Sequence, residues 1–209
     1  MSSFVGGYTS AFAALRDDAG VRGGAVPESG VLADAQLIAL ARESHAQAFE
    51  LLYAQYKSRV YTFLLRMVVD TDLADDITQD VFTKAFKALP TFNADHRILS
   101  WLYRVANNAA IDGIRRQRRF AWLRMGNVAG TRDEPHAADD HSRVPEREHV
   151  QAVLRTLPPE NAAALLLHAL EGYSYKEIAD IQGCTLTAVR SRIARARAAF
   201  KETYSARAG

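Results

Sequence analysis

From Tyr173 to Phe200 the chain runs through a short apolar-faced helix, a glycine turn and an arginine-striped helix, an order that few folds accept. Ile178, Ala179 and Ile181 give the first helix its apolar face. Gly183 permits the left-handed residue that ends it, and the Thr185 hydroxyl can cap the next helix. In that next helix Val189, Ile193, Ala196 and Phe200 recur at three- and four-residue steps and so face a core. Thr187, Arg190, Ser191 and Arg195 lie off the stripe. One face packs and the other is free to read bases and phosphates, which is how a helix-turn-helix presents its recognition helix to the major groove. A helical hairpin with a solvated basic face has the same periodicity. No acidic residue occurs between Cys184 and Lys201, whereas solvated faces usually mix signs, and this favours the nucleic-acid reading.

At 209 residues the chain holds one large domain or two small ones. Its formal net charge of +2 conceals strong segregation. Asp70, Asp72, Asp75, Asp76 and Asp80 form an acidic run without a basic residue among them, and Arg115, Arg116, Arg118 and Arg119 form a basic block. With Cys184 as the sole cysteine, neither an intramolecular disulfide nor a thiolate zinc cluster can form. No apolar stretch approaches the roughly twenty residues of a membrane span, and no secretion-signal pattern opens the chain. The expectation is a cytoplasmic protein without membrane insertion.

Glycines crowd residues 1–32, which read as a mobile tail with at most a short helix from Ser10 to Asp17. Helical periodicity then predicts one helix to about Glu43, another from Ala46 to Val68 with a break near Lys57, and a third capped by Asp72 and ended by Pro90. A loop from Thr91 to Arg97 leads to a fourth, Ile98 to Phe120. These helices make a first domain, 33–121. Residues 122–145 lose periodicity and carry Asp133, Glu134, Asp139 and Asp140, an acidic linker. Helices over Pro145–Leu157, Glu160–Glu171, Tyr175–Ile181 and Thr185–Tyr204 make a second domain, 146–205. The expected fold is all-α: two helical domains joined by a flexible linker, the C-terminal one a helix-turn-helix.

Two blocks of the chain resemble one family. Asp75-Asp76-Ile77-Thr78-Gln79-Asp80-Val81-Phe82, then Trp101-Leu102-Tyr103-Arg104-Val105-Ala106-Asn107-Asn108 and Asp112, resemble the promoter-melting domain of bacterial extracytoplasmic-function (ECF) sigma factors. Leu157-Pro158-Pro159-Glu160, the Glu171-to-Ala179 segment and the Thr187-to-Arg197 segment resemble that family's second domain. One block alone is weak, because Ser-Tyr-Lys-Glu-Ile-Ala recurs in unrelated helix-turn-helix regulators; two in order, across a variable linker, are specific.

For the acidic helix three readings stand side by side: a carboxylate metal site, a solvated face favoured by the helix dipole, and a docking face. A metal-dependent nuclease lacks the supporting histidine pair or lysine. The resemblance implies docking, with Asp76, Gln79 and Asp80 offered to the β′ clamp helices of RNA polymerase core. Phe82, Ala85, Phe86 and Leu89 are expected inside. In the fourth helix, Trp101 reads first as a core anchor. Asn107 and Asn108 read as base-edge partners, and Arg104, Arg115, Arg116, Arg118 and Arg119 as phosphate contacts. The resemblance places the non-template strand of a −10 element here, one base flipped below a loop that carries Phe92 and Asn93. That loop departs from the family, which commonly has a Gly and a small-Phe pair before the Trp. With fewer aromatic wedges than primary sigma factors, the chain is expected to depend on a close promoter match.

By the same resemblance Thr187, Arg190, Ser191 and Arg195 contact a −35 element, while Arg192 and Arg197 meet phosphate or water. The implied partners are RNA polymerase core, through the β′ clamp helices and β flap, promoter DNA, and an anti-sigma factor. No cofactor, metal or catalytic residue is expected. The rival is a stand-alone helix-turn-helix regulator, which leaves the Asp76-Gln79-Asp80 face without a purpose.

Overall fold

The computed structural model describes residues 32–127 and 145–207. All but the last residue of the expected tail, 1–32, and most of the expected linker, 122–145, lie outside the described residues. Among the described residues there are eight helices and no strand: α1 (Asp34–Glu43), α2 (His45–Val68), α3 (Thr71–Ala88), α4 (Ile98–Asn127), α5 (Pro145–Thr156), α6 (Pro159–Ala169), α7 (Tyr175–Gln182) and α8 (Leu186–Arg207), with a 3-10 turn at Leu89–Thr91.

Each helix of the first unit buries one stripe. In α2 Leu52, Tyr56, Val60, Phe63, Leu64 and Met67 follow the three- and four-residue step, and in α3 Ala74, Ile77, Val81, Phe82 and Ala85 do so. These stripes close on Leu99, Leu102, Tyr103 and Ala106 of α4, while α1 covers α2 with Leu37, Ile38 and Ala41. Lys57 lies within the continuous α2, so the break expected there does not occur. Its backbone is uninterrupted by glycine or proline, and its ammonium rests over the Tyr53 ring, 5.1 Å from the centroid.

Asp70, not Asp72, caps α3: its carboxylate accepts from the Leu73 backbone N–H at 2.9 Å. Before it, α2 ends on Val69 at φ 55, the left-handed region, where a β-branched residue is strained. Helix α4 continues to Asn127, several residues into the expected linker, because Trp122 to Met125 contains no helix breaker.

The second unit wraps α6 in its neighbours. Ala162 to Leu167 are all buried between α8 and the flanking helices. Ser174 and Glu177 form a reciprocal capping box on α7, and Gly183 at φ 60 closes its end. The Thr185 hydroxyl accepts from the Ala188 N–H at 3.2 Å, capping α8 as its position predicts.

The two units pack against each other. Helices α6 and α7 contact α4, and α5 and α6 contact α2. Arg59 Nη2 donates to Glu171 Oε2 at 3.0 Å, with little of either side chain exposed. The Tyr103 and Tyr173 rings meet edge to face at 5.7 Å.

Candidate nucleic-acid interface

On α3, Asp76, Gln79 and Asp80 stand at i, i+3 and i+4 and are all exposed, with Asp72 and Asp75 on the same helix also exposed. The opposite side of α3 is the buried stripe, so the pattern that builds the core also forces the acidic residues outward. Phe86 departs from the expectation that it packs inside. It is 39% exposed and stacks on the His45 ring at 4.1 Å, while Phe82 is buried. Position 86 lies one residue past Ala85 on the stripe, at its edge.

Helix α4 carries the second face. Arg104, Asn108, Arg116 and Arg119 are exposed, and Trp101 is half-buried with Phe92 edge-on at 5.8 Å. The Phe92–Trp101 pair fixes the base of the 92–97 loop. Asn93 turns its Oδ1 back to accept from the Asp95 N–H at 3.0 Å, so its side chain shapes the loop. The structure turns Asn107 inward, against its reading as a base-edge partner. It is 1% exposed, its Nδ2 donates to Asn108 Oδ1 at 3.2 Å, and its own Oδ1 has no hydrogen-bond partner. It lies one turn beyond Tyr103, within the buried stripe of α4.

Two arginines of the block are engaged across the unit boundary. Arg115 Nη2 donates to Glu160 Oε1 at 2.5 Å, and Arg118 Nη2 to the Arg155 carbonyl at 3.4 Å. Past the block, Phe120 is 54% and Trp122 74% exposed. Sequence reading did not single these two out, although aromatics interleaved with arginines are a pattern that stacks bases.

On α8 the periodicity holds residue by residue. Val189, Ile193, Ala196 and Phe200 are buried, Thr187, Arg190 and Arg195 are exposed, and Ser191 is half-buried. Arg192 differs from the reading that gave it to phosphate or water. It bends back over the turn, where Nη1 donates to Gln182 Oε1 at 2.8 Å and lies 3.3 Å from Cys184 Sγ. One helix face is thus anchored to α7 and the other left clear for a groove.

Electrostatics separate these faces from the seam between the units. Burial lowers the pKa of Arg66, and the Glu171 carboxylate partly offsets this. Burial raises the Tyr103 phenol well above its usual range, with Glu171 adding to the effect. Among the described residues no group of three or more His, Cys, Asp or Glu could hold a metal, and no helix is long and apolar enough to cross a membrane.

Residues 52–120 match the family model for Sigma-70 region 2, and residues 147–200 match that for Sigma-70, region 4. The RNA polymerase sigma-H factor of Pseudomonas aeruginosa is 32% identical over 180 residues, 80% of this chain and 91% of that protein. The ECF RNA polymerase sigma-E factor of Escherichia coli K12 is 33% identical over 178 residues, 81% of this chain and 93% of that one. The chain belongs to the ECF group of the sigma-70 family. CnrH, solved in complex with the cytosolic domain of CnrY, superposes with a TM-score of 0.61 at 27% identity, over 83% of this chain and 97% of that one. The sigma factor RpoE of Bartonella quintana, solved with the anti-sigma factor NepR, shares the fold at a TM-score of 0.61 and 23% identity, over 76% and 98%. In this sigma factor the acidic face of α3, the arginine face of α4 and the Phe92–Trp101 loop all belong to the region 2 match, while α8 belongs to region 4.

Proposed function

We propose that this ECF sigma factor docks on RNA polymerase core through Asp76, Gln79 and Asp80, and directs the enzyme to a restricted promoter set. The observation that carries the reading is the pairing of two opposite charge faces on adjacent helices of one unit. The α3 face is acidic and exposed, and the α4 face is basic and exposed. A polyanion is repelled by the first and held by the second, so protein and DNA can bind the same unit without competing.

In this reading Arg104, Asn108, Arg115, Arg116, Arg118 and Arg119 follow the non-template strand of the −10 element, and the Phe92–Trp101 loop receives a flipped base. Thr187, Arg190, Ser191 and Arg195 read the −35 element in the major groove. Asn107 supports Asn108 from inside and touches no base while buried. The protein catalyses no covalent step of its own and works in the cytoplasm, where core polymerase is. The two solved relatives described above are each held by a partner, and one partner is named an anti-sigma factor. That supports control of this chain by a protein of the same kind.

The test is binding to purified bacterial core polymerase, comparing wild type with a Gln79→Ala/Asp80→Arg variant. Placing like charge against like across an interface costs several kcal/mol, so binding is expected to weaken by more than about tenfold. A folded wild-type chain that does not bind core overturns the proposal.

A further inference from the structure

The most exposed large apolar side chain among the described residues is Trp122, 74% open to solvent near the end of α4. Residues 115–120 are all exposed, so α4 has already left the core where the indole stands, and packing does not explain a ring of this size there.

Helical phase gives the ring its place. Arg104 and Trp122 are eighteen residues apart, five full turns at about 3.6 residues per turn, so they lie on one line along the helix. Asn108, Arg115 and Arg119 fall within about 60° of that line. All five residues are exposed. Trp101, half-buried against Phe92, stands at the start of the same side. Trp122 ends it about 32 Å further on, at about 1.5 Å per residue. The Asp112 carboxylate stands at the edge of this face. Phe120 is exposed as well, but it lies about 160° around the axis from Trp122 and faces the other way.

Guanidiniums along a line that ends on an aromatic ring suit a single-stranded nucleic acid. The guanidiniums take phosphates, and the ring takes the flat face of a base. A lipid surface calls for a continuous apolar stripe, whereas the apolar stripe of α4 is spent in the core and the outward line is basic. About nine stacked nucleotides, at about 3.4 Å each, span the distance between the two indoles. The region 2 match ends at residue 120, so the indole lies just beyond it.

We propose that Trp122 is a base-stacking platform that ends the arginine face of α4 and holds an unpaired base some way along the strand from the Phe92–Trp101 loop. The platform rests on the promoter-binding reading above and adds an aromatic contact at the far end of the strand's path.

The test uses the full chain with dT12, beside an abasic strand of the same length and charge. The chain has two tryptophans, so Trp101→Phe leaves Trp122 as the sole indole and keeps a ring at 101. In that background dT12 is expected to quench the Trp122 emission, and the abasic strand to bind without quenching it. In the otherwise wild-type chain, Trp122→Ala is expected to weaken dT12 binding about tenfold, the scale of one stacked base, and Trp122→Phe to recover most of the loss. The salt dependence is expected to be unchanged in Trp122→Ala and shallower by about 0.7 in logarithmic slope in Arg119→Ala, which alone gives up a phosphate. Phe120→Ala removes an exposed ring from the other side of the helix and is expected to change affinity by less than about twofold. Circular dichroism checks that each variant is folded.

Equal quenching by the abasic strand, equal losses in Trp122→Ala and Phe120→Ala, or a wild-type chain that does not bind dT12 overturns the platform. So does Trp122 emission that responds to vesicles of phosphatidylglycerol and phosphatidylcholine but not to dT12, which assigns the ring to a lipid surface. Core-polymerase binding in parallel reports on the promoter-binding reading alone, because the α3 face is unaltered in every variant.

Discussion

Asp34, in the first turn of α1, holds the start of α4: its Oδ2 accepts from the Ile98 backbone N–H at 2.8 Å. Its other oxygen accepts from the Tyr56 hydroxyl of α2, also at 2.8 Å. Burial first, and then this carboxylate, push the Tyr56 pKa up. One side chain from outside the helix thus caps the element that carries Trp101 and the arginine block.

Removing that cap is expected to loosen the first unit. Asp34→Ala leaves the Ile98 N–H and the Tyr56 hydroxyl without their acceptor, a loss of about 2–3 kcal/mol. Asp34→Asn keeps one acceptor and is expected to lose less than half of that. Urea unfolding checks both, and equal losses in the two variants count against the capping account.

Val69 is expected to be improvable. Its left-handed backbone costs a non-glycine residue about 1–2 kcal/mol, part of which glycine returns as unfolded-state entropy. Val69→Gly is expected to gain about 0.5 kcal/mol and raise the melting temperature by about 2–4 °C. A fall in melting temperature shows that the half-buried side chain contributes more than its strain.

Glu177 ties the second unit to acid pH. Hydrogen bonds from the Ser174 backbone N–H and then its hydroxyl hold the carboxylate below its ordinary value of 4.5. A depressed carboxylate contributes stability that is complete above the unfolded pKa and is lost as pH falls through the folded one. Stability attributable to Glu177 is therefore present above about pH 4.5 and declines below it. Thermal melts from pH 3 to 6 are expected to fall less steeply in Glu177→Gln, which still caps α7 but does not titrate. Parallel slopes in the two proteins exclude this role.

Arg190 and Arg192, two residues apart, are expected to fail in different ways. Arg190→Ala leaves the melting temperature unchanged and weakens binding of holoenzyme to its promoter by about 1–3 kcal/mol. Arg192→Ala removes the clamp on Gln182 and lowers stability by about 1 kcal/mol. Melting curves and promoter binding on both variants distinguish them, and reversed effects mean the face of α8 has been assigned backwards.

Periodicity and turn chemistry determined the helices, the helix-turn-helix and the two charged faces, because they depend on residues within a turn or two of each other. Val189, Ile193, Ala196 and Phe200 could be placed inside from spacing alone, as could the outward set of Asp76, Gln79 and Asp80. Only the tertiary structure decided that Asn107 turns inward, that Arg192 clamps a turn and that Phe86 stays half out. Each depends on which neighbour fills the space beside a stripe's edge, and spacing does not record that. The seam was least legible of all. Arg59 and Glu171 lie 112 residues apart, and nothing near either residue announces the other. A long-range ion pair has no local propensity, so it becomes visible only once the hydrophobic core shared by the two units has brought their helices together.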